Sequence, residues 1–158
     1  MTNLVQNSGR EFHGAAPPGS VVSHLVDADT LTFEGAALMH SASNGTVISC
    51  APLSGGLFAG FAIEQTDNRV GSIAGGAVGD DTVDVQQFGL VWLEVANAGN
   101  WARGDQDTVY ASDNNTFTIA AGTDNIDIGK VVRVSEEAIG AATGRVLVRF
   151  EANAVRSL

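Results

Sequence analysis

The side chains in this chain best suited to accept a proton or hold a transition metal near neutral pH are His13, His24 and His40. The H-x-x-x-H spacing of a helical zinc site is absent, and each histidine lies in a loop-like or strand-like run where a solvated or hydrogen-bonded imidazole is the ordinary outcome. The single Cys50 excludes an internal disulfide framework and any multi-cysteine zinc site. It lies in the strand-like run Thr46 to Ala51 with no patterned histidine partner, so it reads as a small buried apolar side chain. Acidic clusters at Asp27/Asp29, Asp80/Asp81/Asp84, Asp105/Asp107 and Asp124/Asp127 hold the oxygen ligands a hard cation needs. None fits a calcium loop with its required glycine and terminal glutamate, so they read as solvated turn aspartates. No pair of acids stands out for glycoside hydrolysis, and no G-x-S-x-G presents a serine nucleophile. Trp92, Trp101 and Tyr110 have the chemistry to stack on a sugar ring, although aromatics so spread also serve core and rim packing. No metal or cofactor is expected.

Charge narrows the partners. Eighteen acidic against 8 basic residues give a formal net charge of -10, and Lys130 is the only lysine. The arginines are scattered from Arg10 to Arg156 without a basic run, which makes nucleic acid a poor partner. Such a surface promotes solubility and suits a salty environment. No window approaches about 18 uninterrupted apolar residues, so no membrane span is expected. The opening residues lack both a basic and an apolar signal region, so no signal peptide is expected. With 158 residues, 44% hydrophobic and 16% charged, the chain has the balance of one folded domain that buries roughly two thirds of its unfolded surface.

The elements that must position these side chains are short strands, since 19 glycines and 3 prolines favour tight turns over long helices. Residues 1–19 read as an extended N-terminal arm, closed by Pro17-Pro18-Gly19, ahead of a single β domain over 20–158. Strands are predicted at Ser20 to Val26, at Leu31 to His40 broken by Gly35, and at Thr46 to Ala51. Asn44-Gly45 predicts a two-residue type I′ hairpin. Leu57 to Gln65 reads as a buried strand, and the glycine-rich Thr66 to Asp81 as a long mobile surface loop without a phosphate-cradle motif. Thr82 to Val95 alternates as one strand whose second half is apolar on both faces, so Phe88, Leu90 and Trp92 become a candidate subunit interface. Ser135 to Ala142 is the one helix candidate, and Arg145 to Glu151 reads as an edge or barrel strand with a wet face. Gly104 to Phe150 carries no catalytic pattern and reads as scaffold. Eight or nine short strands predict an all-β fold, a small barrel or sandwich with at most one short helix.

In this order the chain resembles the small phage capsid decoration proteins, also called head stabilisation or cement proteins. Asn3-Leu4-Val5-Gln6, Gly9, Ala16-Pro17 and Val21-Val22 resemble the family's opening arm and first strand. Gly60-Phe61-Ala62-Ile63 and Val83-Asp84-Val85 leading to Gly89 resemble its middle strands. Gly104-Asp105, Val109-Tyr110, Ile128 to Val131 and Gly144 to Val148 resemble its close. The segments Thr30 to Leu57 and Thr66 to Asp81 are longer than the family pattern. The resemblance implies a virion protein on the outer capsid surface, a homotrimer bound to the major capsid protein, without enzymatic activity or cofactor. It implies a shell-binding arm, here Asn3, Leu4, Val5, Gln6 and Phe12, that adds a strand to a capsid element. The alternative reading is a carbohydrate-binding or tail-associated β module using Trp92, Trp101 and Tyr110.

Overall fold

The structure, a computed structural model, describes residues 6–96, 107–138, 140 and 142–156. Its strands in chain order are β1 (Glu11–Phe12), β2 (Val21–Leu25), β3 (Thr30–Thr32), β4 (Ala37–His40), β5 (Val47–Ser49), β6 (Phe58–Ala62) and β7 (Thr66–Asn68). They continue with β8 (Thr82–Gln86), β9 (Phe88–Ala96), β10 (Thr108–Ala111), β11 (Phe117–Thr118), β12 (Ile126–Val134) and β13 (Thr143–Glu151), before the single-turn helix α1 (Asn153–Arg156). The all-β expectation is met, with thirteen strands among the described residues in place of eight or nine, since several are only two or three residues long and leave no periodic run.

Five strands close on themselves. β13 pairs with β12 on one edge and with β9 along its full length on the other, which turns the order β9-β11-β10-β12-β13 into a barrel. The second edge of β9 is shared: β11 runs parallel to it at Val95 and Ala96, and β1 pairs antiparallel at Trp92 and Val91. A second sheet, β2-β8-β6-β4-β5, nearly closes too, through the bridge Val26↔Val47 and the Asp27 N–H donated to the Val47 carbonyl at 3.3 Å. β3 and β7 form a separate ribbon.

Two apolar clusters fill these sheets, and β4 and β6 lie between them. Phe58 and Phe61 of β6, with Ala37 and Met39 of β4, join the barrel core of Val91, Val109, Ile128, Val148 and Phe150. Ala59, Ala62 and Leu38 point the other way, onto Val26, Val47, Val83 and Val85. That double burial is why β6 is apolar at every position. Phe61 is the hub, meeting Phe150, Phe58 and Phe117 edge-on at centroid distances of 5.0, 5.5 and 6.1 Å, the arrangement aromatic quadrupoles favour. Between them Gly60 takes φ 129°, and a Cβ there would lie 2.3 Å from the Gln86 carbonyl oxygen. Only glycine lets β6 come that close to β8.

Several sequence expectations are corrected by this architecture. Thr82 to Val95 is two strands: at Gln87 the chain leaves one sheet for the other, with Gln87 N–H bonded to the Ser20 carbonyl and its own carbonyl accepting from Ala152, both at 2.7 Å. β13 is a central barrel strand with two partners, so the edge alternative does not hold. The β4–β5 hairpin exists, but its connection spans Ser41 to Thr46 and Gly45 alone takes positive φ, so no type I′ turn forms. Asn44 instead uses its side-chain oxygen to accept from the Thr46 N–H and hydroxyl. The first three residues of the Thr66 to Asp81 loop are β7. At Ser135 to Ala142 the described residues form a 3-10 turn, Glu136–Ala138, while the α-helical turn is the unforeseen α1.

Candidate functional site

The N-terminal segment carries the residues expected to bind a partner. It is docked from Asn7 onward. Asn7 Oδ1 accepts the Glu34 N–H at 3.0 Å, Ser8 N–H donates to the Glu34 carbonyl at 3.0 Å, and His13 N–H donates to the Leu90 carbonyl at 2.8 Å. Arg10 enters the body and donates Nε to the Gly35 carbonyl at 2.6 Å and a terminal nitrogen to Asn115 Oδ1 at 2.9 Å. Its guanidinium lies 5.1 Å from the centroid of Phe117 and 5.6 Å from that of Phe61, a cation–π clamp. Burial pushes its pKa down to about 10, which leaves it charged at neutral pH. Gly35 completes the seat: at φ 84° a Cβ would fall 1.8 Å from the Ser8 carbonyl oxygen.

This revises the residues expected on a free arm. Phe12 points into the barrel beside Val91 and tilts against Phe150 at 5.9 Å, so it is part of the body. Gln6 is exposed, and Asn3, Leu4 and Val5 lie outside the described residues. With only two ladder pairs, β1 leaves no periodicity in the sequence that marks it as docked.

The candidate interface on β9 has a particular cover. Val91, Leu93 and Val95 point into the barrel, so Phe88, Leu90 and Trp92 line its outer wall, each half-buried. Arg145 of β13 lies over the Trp92 ring at 4.9 Å and forms an ion pair with Glu11 of β1. An open groove of about 360 Å³ runs between this pair, Arg10 and Asn115. Trp92 therefore has a guanidinium on its face, and Tyr110 sits on β10, separated from β9 by β11. Trp101 lies outside the described residues, so the sugar platform gains no geometry.

The histidines do not all stay apart as the spacing predicted. His24 and His40 meet with ring centroids 5.5 Å apart, and Gln87 Nε2 lies 3.0 Å from His24 Nε2. Burial lowers the pKa of both, and the charge of His40 lowers that of His24 further. Their parity was the available signal, since His24 shares a strand face with Val26 and His40 with Leu38, both inward-facing. Among the described residues no three of His, Cys, Asp and Glu group as a metal site. Burial pushes the Cys50 thiol up, keeping it protonated. A hollow of about 210 Å³ beside β12 and α1 is lined by charged groups that already have partners: Arg156 with Asp127 at 3.1 Å, Arg149 with Glu151 at 3.8 Å, and Lys130 with the Thr108 hydroxyl. Among the described residues no helix is long and apolar enough to cross a membrane.

Neither protein-family models nor curated proteins match this chain. The functional reading therefore rests on the chain's own chemistry and on the resemblance its residues carry.

Proposed function

We propose that this protein is a structural virion component that binds the outer surface of an icosahedral phage capsid as a homotrimer and stabilises the shell against internal DNA pressure. The observation that best supports this reading is the anchoring of Asn7 to His13 on the barrel, which fixes the attachment point of the segment proposed to bind the shell, the lead Thr2 to Gln6. A segment tethered at a fixed point loses less entropy when it orders on a partner, and on this reading its main chain adds a strand to a capsid element. Three such leads on one trimer bind with the gain of effective concentration, so each contact can be weak. The outer wall of β9, with Phe88, Leu90 and Trp92, is the face assigned to contacts between copies. The acidic surface keeps free trimers soluble before they meet the shell.

Electron microscopy of capsids lacking this protein, mixed with either the wild type or a variant deleted for residues 2–6, tests the proposal. The wild type should appear as threefold density on the shell. The deletion should keep the wild-type urea midpoint and leave the shell bare. Equal decoration by both removes the role of the lead, and bare shells with the wild type remove the capsid reading itself. A deletion reaching residue 18 is unsuitable, since it strips Arg10 and Phe12 from the core.

A further inference from the structure

The loop that follows β7 holds apolar side chains in water between two hydrogen-bonded stretches, Asn68 to Val70 and Gly76 to Asp80. Ile73 is fully exposed, Val70 is 77% exposed, and Val78 and Leu25 at the end of β2 are about half exposed. The two stretches are joined by Asn68, which is wholly buried: its Nδ2 donates to the Asp27 and Ala77 carbonyls at 2.9 and 2.8 Å, and its Oδ1 accepts from Gly76 N–H at 3.3 Å. Asp29 adopts φ 49°, the only described non-glycine residue with positive φ, and its carboxylate accepts the Val70 N–H at 3.0 Å. Asp80 accepts the Ala77 N–H at 3.0 Å, and Gly79 N–H ties the loop back to the Val26 carbonyl at 2.9 Å. Each fixed residue gives up conformational entropy, and the result is an isoleucine presented to solvent. A loop with no partner gains nothing from that presentation.

The charges around Ile73 indicate what the partner is. Among the described residues Asp29, Asp67, Asp80 and Asp81 flank the loop against one cation, Arg69, which is already held by Asp67 at 2.7 Å. A second copy of this face would bring like charges together, so the patch does not suit self-association. We infer that Ile73 and the loop around it form a second capsid contact, an apolar knob on a hydrogen-bonded base that enters a hollow rimmed by Lys or Arg on the shell. This inference rests on the capsid reading above and adds a contact independent of the N-terminal lead.

The test uses capsid shells lacking the protein, with four proteins titrated onto them: wild type, Ile73→Asp, Asp80→Asn, and Val132→Asp as an exposed apolar control on β12. Ile73→Asp should keep the wild-type melting temperature and weaken shell binding about 10- to 100-fold, the loss that goes with one buried aliphatic side chain. Raising salt should weaken wild-type binding, and Asp80→Asn should reduce that salt dependence, while Val132→Asp should bind as wild type. If the wild type binds and Ile73→Asp binds equally well, the knob is wrong while the capsid reading stands. If the wild type does not bind the shells, the capsid reading fails first. If Ile73→Asp changes the oligomeric state by mass photometry and not shell affinity, the loop joins copies of this chain and the inference is overturned.

Discussion

His24 and His40 touch where the second sheet nearly closes, next to the bridge that joins Val26 to Val47. Both pKa values lie below the ordinary 6.5 in the folded chain, through burial and, for His24, also through the charge of its neighbour. The unfolded chain therefore binds protons more readily than the folded one as pH falls below 6.5. Their contribution to stability is complete above that pH and declines as pH drops through it toward the lower folded values. Urea midpoints measured from pH 7.5 to pH 5 should fall for the wild type, and the H24Q/H40Q double variant should show a shallower fall. Parallel curves would place the acid sensitivity among the carboxylates instead. The pairing itself was partly readable, since both histidines fall at inward parity. Which strands would bring the rings face to face depends on sheet order, and no local pattern encodes that.

At the level of elements, β6 carries the most information. It packs one face on each core, and its single backbone concession is Gly60, where φ is positive and the Gln86 backbone is in contact distance of any added carbon. Gly60→Ala should therefore cost about 3 kcal/mol or more, combining left-handed strain with a clash against unyielding backbone. Thermal unfolding of the purified variant reads it, and a change within about 0.5 kcal/mol of wild type would show that β8 can retreat. The composition of β6 made its burial legible in advance, and the period-two pattern made β8, β9 and β13 legible as strands. The break at Gln87 was not, because Val83, Val85, Val91 and Leu93 keep one parity across it while serving two different cores. Nor was the docking of β1. Its two pairs are too few to show as periodicity, and the decisive contacts of Arg10 are made to Gly35 and Asn115, far along the chain.

Taken as a whole molecule, the protein is a closed barrel packed on a nearly closed sheet whose strands β4 and β6 send side chains into both cores, with candidate contact surfaces on the outer wall of β9 and on the loop that carries Ile73. The fold class was accessible from strand count and turn frequency, but ring closure was not, because it depends on one non-local pairing. That pairing, β9 with β13, has a consequence for how the protein is made. Every strand before Thr143 can leave the ribosome while the barrel still has an open gap between β9 and β12, with Val91, Leu93 and Val131 facing water. Non-local closure of this kind is slow, and until it occurs the open edges can pair with other chains. Nascent chains stalled before residue 143 should be degraded by a low dose of protease, and chains with Glu151 clear of the exit tunnel should resist it. Protection appearing already in the shorter chains would mean that the second sheet folds alone. Folding then has a fixed order in time, with the barrel core sealed from water only after β13 has paired with both β9 and β12.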